Sequence, residues 1–363
     1  MRNSFVVSES DQDPGNHESS PRRIVHVFPG QGDFSVSPLV RAIRTHAAVR
    51  KSVAEVFQEA EDVGREFGIA PLAGPLLGDS PPSGRDLAAA RVGTPQLALF
   101  CSSVAVHRAL CTIGLVPDAV LGVSFGEIAA LTAAGVFEVA EGARIACLLA
   151  RQLVGCAGGM TLVGAAEWRT RALMREANAP DLAAACINDP GETLVSGPLG
   201  TLGAVEELAR RQGIAVSRLR LPFSSHHPSL TGPADAFEAA IRPLTARPAR
   251  VPVFSAVHKG RYRPGDDVHR GLANCLVRPV RLPEVLHQVT TGGGVLFLEA
   301  GTGRALTRNV RHTLPPAAAR AHAPLADPRF PWPDAHPPTA PPPDGPLSAL
   351  WSRRDDHAPA TPR

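Results

Sequence analysis

The segment that most constrains this chain lies at residues 119–134, where a short apolar run, a glycine-flanked serine and a helical pattern follow one another. Residues 119–121 predict a buried strand, and the stretch that begins at Glu127 predicts a helix. Residues 122–126 between them have the sequence GVSFG. Glycines at both ends of such a turn let the backbone pass sharply from strand to helix and leave the serine hydroxyl exposed. The segment therefore predicts a nucleophile elbow and a reaction that transfers an acyl group through Ser124.

The five-residue pattern also has an ordinary structural explanation, because the chain contains 33 glycines. In that explanation Ser124 only caps the following helix, since a serine hydroxyl readily accepts a hydrogen bond from the N–H groups of a helix start. A serine nucleophile needs, in addition, a general base and groups that hold an oxyanion. Other parts of the sequence have to supply these groups.

The composition is typical of a globular protein with one large domain or two ordinary ones. The 363 residues are 44% hydrophobic and 20% charged. No run is apolar over the thickness of a bilayer, and the first 20 residues lack an apolar signal region. We therefore expect a cytoplasmic protein that does not bind a membrane.

The charged residues and the cysteines argue against nucleic acid and metal as ligands. The formal net charge is only +3, and there is no basic stripe with interleaved aromatic residues. The six cysteines are scattered without a C-x-x-C pair, so we expect reduced core residues and no metal site. We expect no bound cofactor either.

Short apolar runs alternate with longer helical patterns, which predicts an α/β fold with a mostly parallel sheet. The predicted strands of this sheet include residues 23–28, 119–121, 251–255 and 295–298. Residues 159–221 instead combine four short strand patterns with two helices, which predicts a small inserted α+β domain. The large domain would comprise residues 23–158 and 222–313. Residues 1–22 are polar and residues 314–363 are rich in proline and alanine, so we expect disordered tails.

Two turns offer the remaining groups of a serine acyl-transfer site. Of the thirteen histidines, His226 and His227 follow a strand-like run and lie in a turn, where catalytic side chains are often presented. Either one is a candidate general base. Residues 28–32, with the sequence FPGQG, form a glycine turn at the carboxyl end of the first strand, where ligands bind in open α/β sheets. Backbone N–H groups of that turn, together with the N–H of Phe125, are candidates for an oxyanion hole.

Four motifs, in this order, are similar to those of the malonyl-CoA:acyl carrier protein transacylase family, which includes the acyltransferases of polyketide synthases. They are FPGQG at residues 28–32, GVSFGE at 122–127, SH at 225–226 and FLEAG at 297–301. The resemblance covers roughly residues 23–310, and the segment 183–198, which contains Asn188, resembles part of the small domain of that family. Four ordered motifs are far more specific than any one of them, so the chain is identified as a member.

The resemblance implies an α/β-hydrolase-like large domain that carries a ferredoxin-like insert, with the active site between them. It implies that Ser124 attacks an acyl-CoA or carrier-protein thioester and that the phosphopantetheine thiol of an acyl carrier protein takes the acyl group, in polyketide or fatty acid biosynthesis. By motif position His226 is the base, and the backbone N–H groups of Gln31 and Phe125 form the oxyanion hole. The family orients its histidine through backbone carbonyls, so we expect Glu299 to be structural.

Two positions depart from the family pattern and bear on the acyl group. Val123 stands where the family commonly has histidine, which removes a polar group from the substrate pocket. Counting without gaps from Ser124 places Leu149 where malonyl-type members have the arginine that pairs with the substrate carboxylate. Arg151, two residues further on, is rotated by about 200° around a helix. A carboxylate against leucine is strongly disfavoured by desolvation, so we expect an acyl group without a free carboxylate.

Other features leave the acyl group and the acceptor open. The predicted pocket also includes Asn188 and Ser225, but residues 223–226 match neither the malonyl-associated nor the methylmalonyl-associated pattern. Acetyl, propionyl, longer acyl and aminoacyl groups all stay candidates. A thioesterase that passes the acyl-serine to water is the first alternative function, and an inactive docking protein is the second. The ends of the chain contain no carrier or ketosynthase signature, so we expect a freestanding enzyme that acts in trans on an acyl carrier protein.

Overall fold

The computed structural model describes residues 23–333 and residue 350. The predicted N-terminal tail, residues 1–22, lies outside the described residues, as do residues 334–349 and 351–363 of the predicted C-terminal tail. No helix within the described part of the chain is long and apolar enough to cross a membrane.

Strands and helices alternate along most of the described chain. The strands are β1 (Arg23–Phe28), β2 (Ala119–Gly122), β3 (Gly159–Val163), β4 (Ala183–Asp189), β5 (Glu192–Gly197), β6 (Val216–Arg218), β7 (Val253–Ser255), β8 (Gly260–Arg261), β9 (Val280–Arg281), β10 (Val295–Glu299) and β11 (Ala319–His322). The helices are α1 (Val36–Thr45), α2 (Ala47–Glu59), α3 (Glu61–Glu66), α4 (Ala73–Leu77), α5 (Gly84–Ala89), α6 (Thr94–Thr112), α7 (Gly126–Ala133), α8 (Val139–Leu153), α9 (Glu167–Glu176), α10 (Leu199–Arg211), α11 (Thr231–Ile241), α12 (Val268–Val277), α13 (Leu282–Val289) and α14 (Ala305–Thr313). Two 3₁₀ turns lie at Gln31–Asp33 and Pro228–Leu230.

The larger sheet has the strand order β11-β10-β1-β2-β7-β8 and is parallel except for the last pair. Side chains of β1 alternate between two core clusters, with Ile24 in one and Val25 in the other, because a parallel sheet is covered on both faces. This burial explains why β1, β2 and β10 are mostly apolar in the sequence, although β1 contains the buried His26 and β10 ends in the buried Glu299. Phe28 lies opposite Gly122 at the carboxyl ends of β1 and β2, so the FPGQG and GVSFG turns are neighbours.

The smaller sheet is built mainly by the insert and has the strand order β6-β3-β5-β4-β9. Its first four strands are antiparallel to their neighbours, and the chain order β3-α9-β4-β5-α10-β6 is the ferredoxin-like βαββαβ arrangement. The predicted α/β fold with a ferredoxin-like insert is therefore confirmed. The short strand β9 comes from the large domain and pairs in parallel with β4, so the two domains share this sheet.

The prediction of disorder from residue 314 onward is wrong for the segment that ends at residue 333. Strand β11 pairs in parallel with β10, and its Ala319 and Ala321 side chains pack into the core. The indole Nε1 of Trp332 donates a 2.9 Å hydrogen bond to the Pro324 carbonyl. The proline and alanine content suggested a tail, but small alanine side chains also fit a sheet edge that a helix covers.

One core cluster contains side chains from both domains. Val27 and Leu121 of the large sheet share it with Met160 and Leu194 of the small sheet. Because these apolar side chains pack together, the small domain is held over the carboxyl ends of β1 and β2. A cleft lies between the two sheets at that place.

Candidate active site

The GVSFG turn connects β2, which ends at Gly122, to α7, which begins at Gly126. Ser124 has a φ of 57°, a left-handed conformation that costs a non-glycine residue roughly 1–3 kcal/mol and is typical of strained functional turns. A Cβ at Gly126 would lie 2.1 Å from the Phe28 carbonyl oxygen, and one at Gly122 would lie 2.5 Å from the Cα of Glu127. Glycine is therefore required at both positions, and the chain has the backbone of a nucleophile elbow.

The Ser124 hydroxyl lies within hydrogen-bond distance of His226. Its Oγ is 2.7 Å from the Nε2 of His226, and the Nδ1 of the same ring is 2.8 Å from the Arg278 carbonyl oxygen. A carbonyl oxygen can only accept a hydrogen bond, so the ring proton is on Nδ1 and the lone pair of Nε2 faces the serine. This tautomer is the one that a general base requires.

Burial keeps His226 in its neutral form. The residue is 2% exposed, and this burial lowers its pKa to about 4, while the hydrogen bond to the Arg278 carbonyl acts in the opposite direction. The imidazole is therefore unprotonated at neutral pH and can accept the serine proton. A backbone carbonyl occupies the place that a carboxylate has in Ser-His-Asp sites.

Both predicted oxyanion donors lie next to the nucleophile. A Cβ on Gly30 would be 3.4 Å from the Cβ of Ser124, so the FPGQG turn packs directly against the elbow. The side chain of Gln31 accepts a 2.8 Å hydrogen bond from Gln96 near the start of α6, which holds the turn in place. Phe125 directly precedes α7, at a helix start where backbone N–H groups favour anions. The backbone N–H groups of Gln31 and Phe125 can hold an oxyanion beside Ser124, and their role as the oxyanion hole stays a prediction.

Two buried carboxylates near the site have partners that support the backbone. Glu127 is fully buried and accepts hydrogen bonds from the hydroxyls of Ser255 and Tyr262, and burial raises its pKa to about 7. Glu299 accepts hydrogen bonds from the N–H and the hydroxyl of Thr307, at 2.8 and 2.7 Å. These bonds fix the start of α14, which agrees with the predicted structural role of Glu299.

A cavity of about 980 Å³ lies between the two sheets and opens at Ser124 and His226. Its volume is in the upper part of the range of small-molecule sites. One wall is apolar and comes from the small domain and the segment that follows it: Met160, Leu162, Cys186, Leu194, Leu219 and Leu221. A second wall comes from α14 and the residue before it, and it includes Arg304, Arg308, Arg311 and His312. The site therefore offers an apolar surface for an acyl chain and a positively charged wall for a polar group.

Three of the four predicted pocket residues line this cavity: Val123, Asn188 and Ser225. The Nδ2 of Asn188 donates a 2.8 Å hydrogen bond to the Glu192 carboxylate, and the Ser225 hydroxyl donates to the Cys275 carbonyl at 3.3 Å. Both polar side chains are thus oriented by partners inside the protein.

Leu149 does not line the cavity, so its prediction as a pocket residue is wrong. Its side chain is 4% exposed and lies in the core with Ile145 and Leu153 of the same helix, because residues four apart form one apolar stripe of a helix. The guanidinium of Arg151 lies over the Phe67 ring, 4.1 Å from its centre. Neither residue presents a charge to the cavity.

Several parts of the site were missed in the sequence. Arg278 acts through its carbonyl oxygen, which leaves no signal in residue type. Gln96 is 65 residues away from Gln31, and their contact depends on the fold. The charged wall did have a signal, since the four-residue spacing of Arg304 and Arg308 places both on one side of a helix.

Comparison with known proteins places these features in a family. Residues 20–327 match the family model of the acyl transferase domain. The chain is 32% identical over 234 residues to the polyketide synthase GfsA of Streptomyces halstedii, and 28% identical over 327 residues to the spectinabilin polyketide synthase system protein NorA' of Streptomyces orinoci. These alignments cover 62% and 86% of this chain but only 3% and 9% of the relatives. The chain therefore spans a small part of the length of the curated relatives it matches.

Solved acyltransferase structures share the fold over most of the chain. The acyltransferase domain from module 8 of the salinomycin polyketide synthase is 27% identical with a TM-score of 0.72, and the match covers 82% of this chain and 70% of that chain. A loading acyltransferase from the avermectin modular polyketide synthase is 25% identical with a TM-score of 0.72, over 84% and 94% of the two chains. The malonyl-CoA:acyl carrier protein transacylase of Xanthomonas oryzae is 24% identical with a TM-score of 0.73, over 85% and 96%. At that last identity the likeness shows the fold alone.

The family match extends over both domains and includes the elbow, the histidine turn and the FPGQG turn. These are the parts of the chain whose geometry suits acyl transfer through a serine. The chain therefore belongs to the acyl transferase domain family, and its fold is that of solved acyltransferase domains of polyketide synthases.

Proposed function

We propose that the chain moves an acyl group from a CoA or carrier-protein thioester, through an acyl-serine at Ser124, to the phosphopantetheine thiol of an acyl carrier protein in polyketide or fatty acid biosynthesis. The observation that carries the proposal is the 2.7 Å contact between the Ser124 Oγ and the His226 Nε2 beside the FPGQG turn. A relative named as a malonyl-CoA:acyl carrier protein transacylase has the same fold, which supports a carrier protein as the acceptor.

In the first half-reaction, the Nε2 of His226 takes the hydroxyl proton while the Oγ of Ser124 attacks the thioester carbonyl carbon. The carbonyl oxygen becomes an oxyanion, which the N–H groups of Gln31 and Phe125 hold. The C–S bond then breaks, and the imidazolium returns the proton to the leaving thiolate. An acyl-serine and a free thiol result.

In the second half-reaction, the carrier thiol gives its proton to His226 and its sulfur attacks the acyl-serine carbonyl. The C–O bond to Ser124 breaks, and the proton passes to the serine oxygen. Water in the place of the thiol would release a free acid, which is the thioesterase alternative. Both outcomes use the same two residues, so the acceptor that reaches the acyl-serine decides between them.

The α14 wall supports a thioester donor that carries phosphate. Arg308 is 49% exposed at the cavity and pairs with Glu192 at 2.8 Å. Phosphate groups of CoA and phosphopantetheine are acceptors that a guanidinium binds through charge-assisted hydrogen bonds. The positive charge of this wall therefore suits the phosphate groups that CoA and the phosphopantetheine of a carrier protein both have.

We further propose that the preferred acyl group has no free carboxylate. Val123 and the apolar side chains of the small domain line the cavity together with Ser124, whereas the arginines of the cavity lie on and next to α14, the wall proposed above to bind phosphate. Arg151 of α8 lies over Phe67. A carboxylate placed against this apolar surface would lose its hydration without gaining a partner there. The cavity volume of about 980 Å³ also leaves room for an acyl chain longer than acetyl.

The test compares acyl donors and acceptors in parallel. Purified protein is incubated with malonyl-CoA, acetyl-CoA, a longer acyl-CoA and acyl-carrier thioesters, with and without a phosphopantetheinylated carrier protein, and the products are followed by mass spectrometry. We expect transfer to the carrier to exceed release of free acid. We expect the best non-carboxylated donor to load about 10-fold faster than malonyl-CoA, which corresponds to about 1.4 kcal/mol.

Two outcomes would change the assignment. Malonyl-CoA as the fastest donor would overturn the proposed acyl class. Release of free acid at the same rate with and without the carrier would favour the thioesterase. The exposed Ser217→Ala variant on β6 is the control and should behave as the wild type in every arm.

A further inference from the structure

A cluster of side chains that are typical metal ligands lies outside the active site, between β1 and α6. His26 belongs to β1, and His107 and Cys111 belong to α6. One donor atom from each residue lies within 4.8 Å of the others. None of the three residues lines the active-site cavity, so the cluster needs an explanation of its own.

The local structure places the three side chains together. His107 and Cys111 are four residues apart and therefore lie on the same face of α6. His26 lies on the same face of β1 as Ile24 and Phe28, which pack into the core cluster that also contains side chains of α6. A buried central strand and a 19-residue buried helix hold these positions, so the cluster is rigid before any ion binds.

The distances between the donor atoms are close to those of a zinc site. The Nδ1 of His26 is 2.9 Å from the Nδ1 of His107, and the Sγ of Cys111 is 3.9 Å from the same His107 nitrogen. Zinc bonds nitrogen at about 2.0–2.1 Å and sulfur at about 2.3 Å in a tetrahedron, which requires separations of about 3.3 Å between two nitrogens and about 3.6 Å between nitrogen and sulfur. These two separations differ from the zinc values by about half an ångström or less, and the donor atoms of His26 and Cys111 lie within 4.8 Å of each other. Small side-chain rotations provide changes of this size.

The surroundings also suit a metal ion. The Nε2 of His26 is buried, whereas His107 and Cys111 are partly exposed. An ion can therefore enter from the α6 surface.

We propose that His26, His107 and Cys111 form a zinc-binding site that ties β1 to α6. Two imidazoles and a thiolate are a donor set typical of zinc, and a water molecule would complete the tetrahedron. β1 ends in the FPGQG turn, and α6 carries Gln96, which holds Gln31. A bound ion would therefore stabilise the two elements that orient this turn.

The site goes beyond acyl transfer and does not depend on the acyl group or the acceptor. The expectation of no metal rested on the absence of a C-x-x-C pair. The structure instead brings together two histidines that are 81 residues apart, and such a contact cannot be found by inspecting cysteine spacing.

The test measures the binding of Zn²⁺ and Co²⁺ to the full chain. The protein is dialysed against Zn²⁺ and then against metal-free buffer, and bound zinc is measured by inductively coupled plasma mass spectrometry. Co²⁺ reports on a thiolate ligand through its sulfur-to-metal charge-transfer absorption. We expect one zinc ion per chain and a cobalt band that Zn²⁺ displaces. Loss of a residue that only hydrogen-bonds to a metal ligand weakens metal binding by about 10- to 100-fold, and loss of a ligand itself should weaken it more. Cys111→Ser should therefore weaken zinc binding by about 100-fold or more and remove the cobalt band.

Cys156→Ser is the matched control. Its hydroxyl can keep the bond that the Cys156 Sγ makes to the Gln152 carbonyl at 3.3 Å, so it should bind both ions as the wild type does. His107→Gln tests a second ligand, and circular dichroism shows that each variant is folded. A folded wild type without a cobalt thiolate band would overturn the proposal and leave the two histidines as a buried hydrogen-bonded pair. Zinc binding that neither Cys111→Ser nor His107→Gln weakens would also overturn it.

Discussion

At the scale of single residues, the backbone of Ser124 and His226 is as informative as their side chains. Both have positive φ values, 57° and 54°, and strain of this kind clusters at active sites where the surrounding structure holds it. It directs the Oγ of one residue and the Nε2 of the other to a separation of 2.7 Å. The motifs could predict the two residues, but they could not predict the partner of the Nδ1, because Arg278 contributes only a main-chain carbonyl.

The rate of Ser124 acylation should stay nearly constant as the pH falls from about 8 to about 5 and should decline only near pH 4. Burial lowers the pKa of His226 to about 4, so the neutral base persists below the usual histidine range. Single-turnover acylation over this range of pH measures the effect. An acid limb centred near about pH 6.5, the pKa of an unperturbed histidine, would contradict the prediction.

The same pKa shift makes the folded state less stable in acid. Unfolded His226 binds a proton below about pH 6.5, whereas the folded protein keeps the ring neutral until about pH 4. Stability is therefore lost progressively as the pH falls between these two values. Circular dichroism at each pH is the control that separates loss of activity from loss of folding.

Glu127 should affect stability in the opposite direction, so that its contribution to the free energy of unfolding falls as the pH rises. Burial raises its pKa to about 7, so the folded state keeps a proton that the unfolded state releases above about pH 4.5. Relative to Glu127→Gln, the wild type should lose roughly 3 kcal/mol of unfolding free energy as the pH rises from about 4.5 to about 7. Urea unfolding of both proteins across this range measures the difference. Equal pH slopes for the two proteins would show that the buried carboxyl does not titrate in this way.

At the scale of elements, the elbow depends on the close approach of α7 to the end of β1. A Cβ at Gly126 would lie 2.1 Å from the Phe28 carbonyl oxygen, so the strand and the helix would have to separate. We expect Gly126→Ala to lower the free energy of unfolding by about 3 kcal/mol or more and to displace the nucleophile. Urea denaturation measures the loss.

Gly203→Ala is the control for this substitution. Gly203 lies within α10, and no heavy atom lies within 4 Å of an added Cβ. An alanine there should stabilise the protein by about 0.5–1 kcal/mol. If both variants changed stability equally, the close approach at Gly126 would not be the cause.

The elements that could be predicted are those whose burial leaves a pattern in the sequence. β1, β2 and β10 are mostly apolar because both faces of the sheet are covered. β8 and β9 have only two residues each, too few for any periodicity. Leu149 shows a second limit, since counting along a motif placed it on α8, and no residue of α8 is among those that line the cavity.

At the scale of the whole molecule, the two domains should unfold as one unit. A single core cluster joins Leu121 of the large sheet to Met160 of the small sheet, and β9 extends the small sheet from the large domain. We therefore expect one calorimetric transition with equal calorimetric and van't Hoff enthalpies. Two separate transitions would indicate that the insert is stable without this interface.

The order of the motifs predicted the two-domain architecture, but the cavity between the domains could not be predicted from the sequence. Its walls come from strands of the insert and from α14 near the C-terminal end of the described chain. Which side chains face one another across it depends on how the sheets pack. For this reason only the structure showed that the arginines of α14 line the cavity and that His26 lies beside His107.

In the proposed reaction, an acyl group is held covalently on Ser124. The most direct measurement is intact and peptide mass spectrometry of the protein after brief exposure to an acyl thioester, with Ser124→Ala in parallel. We expect a mass increase of one acyl group on the peptide that contains Ser124 in the wild type and none in the variant. An acyl adduct that persists in Ser124→Ala, or that maps to another residue, would contradict it.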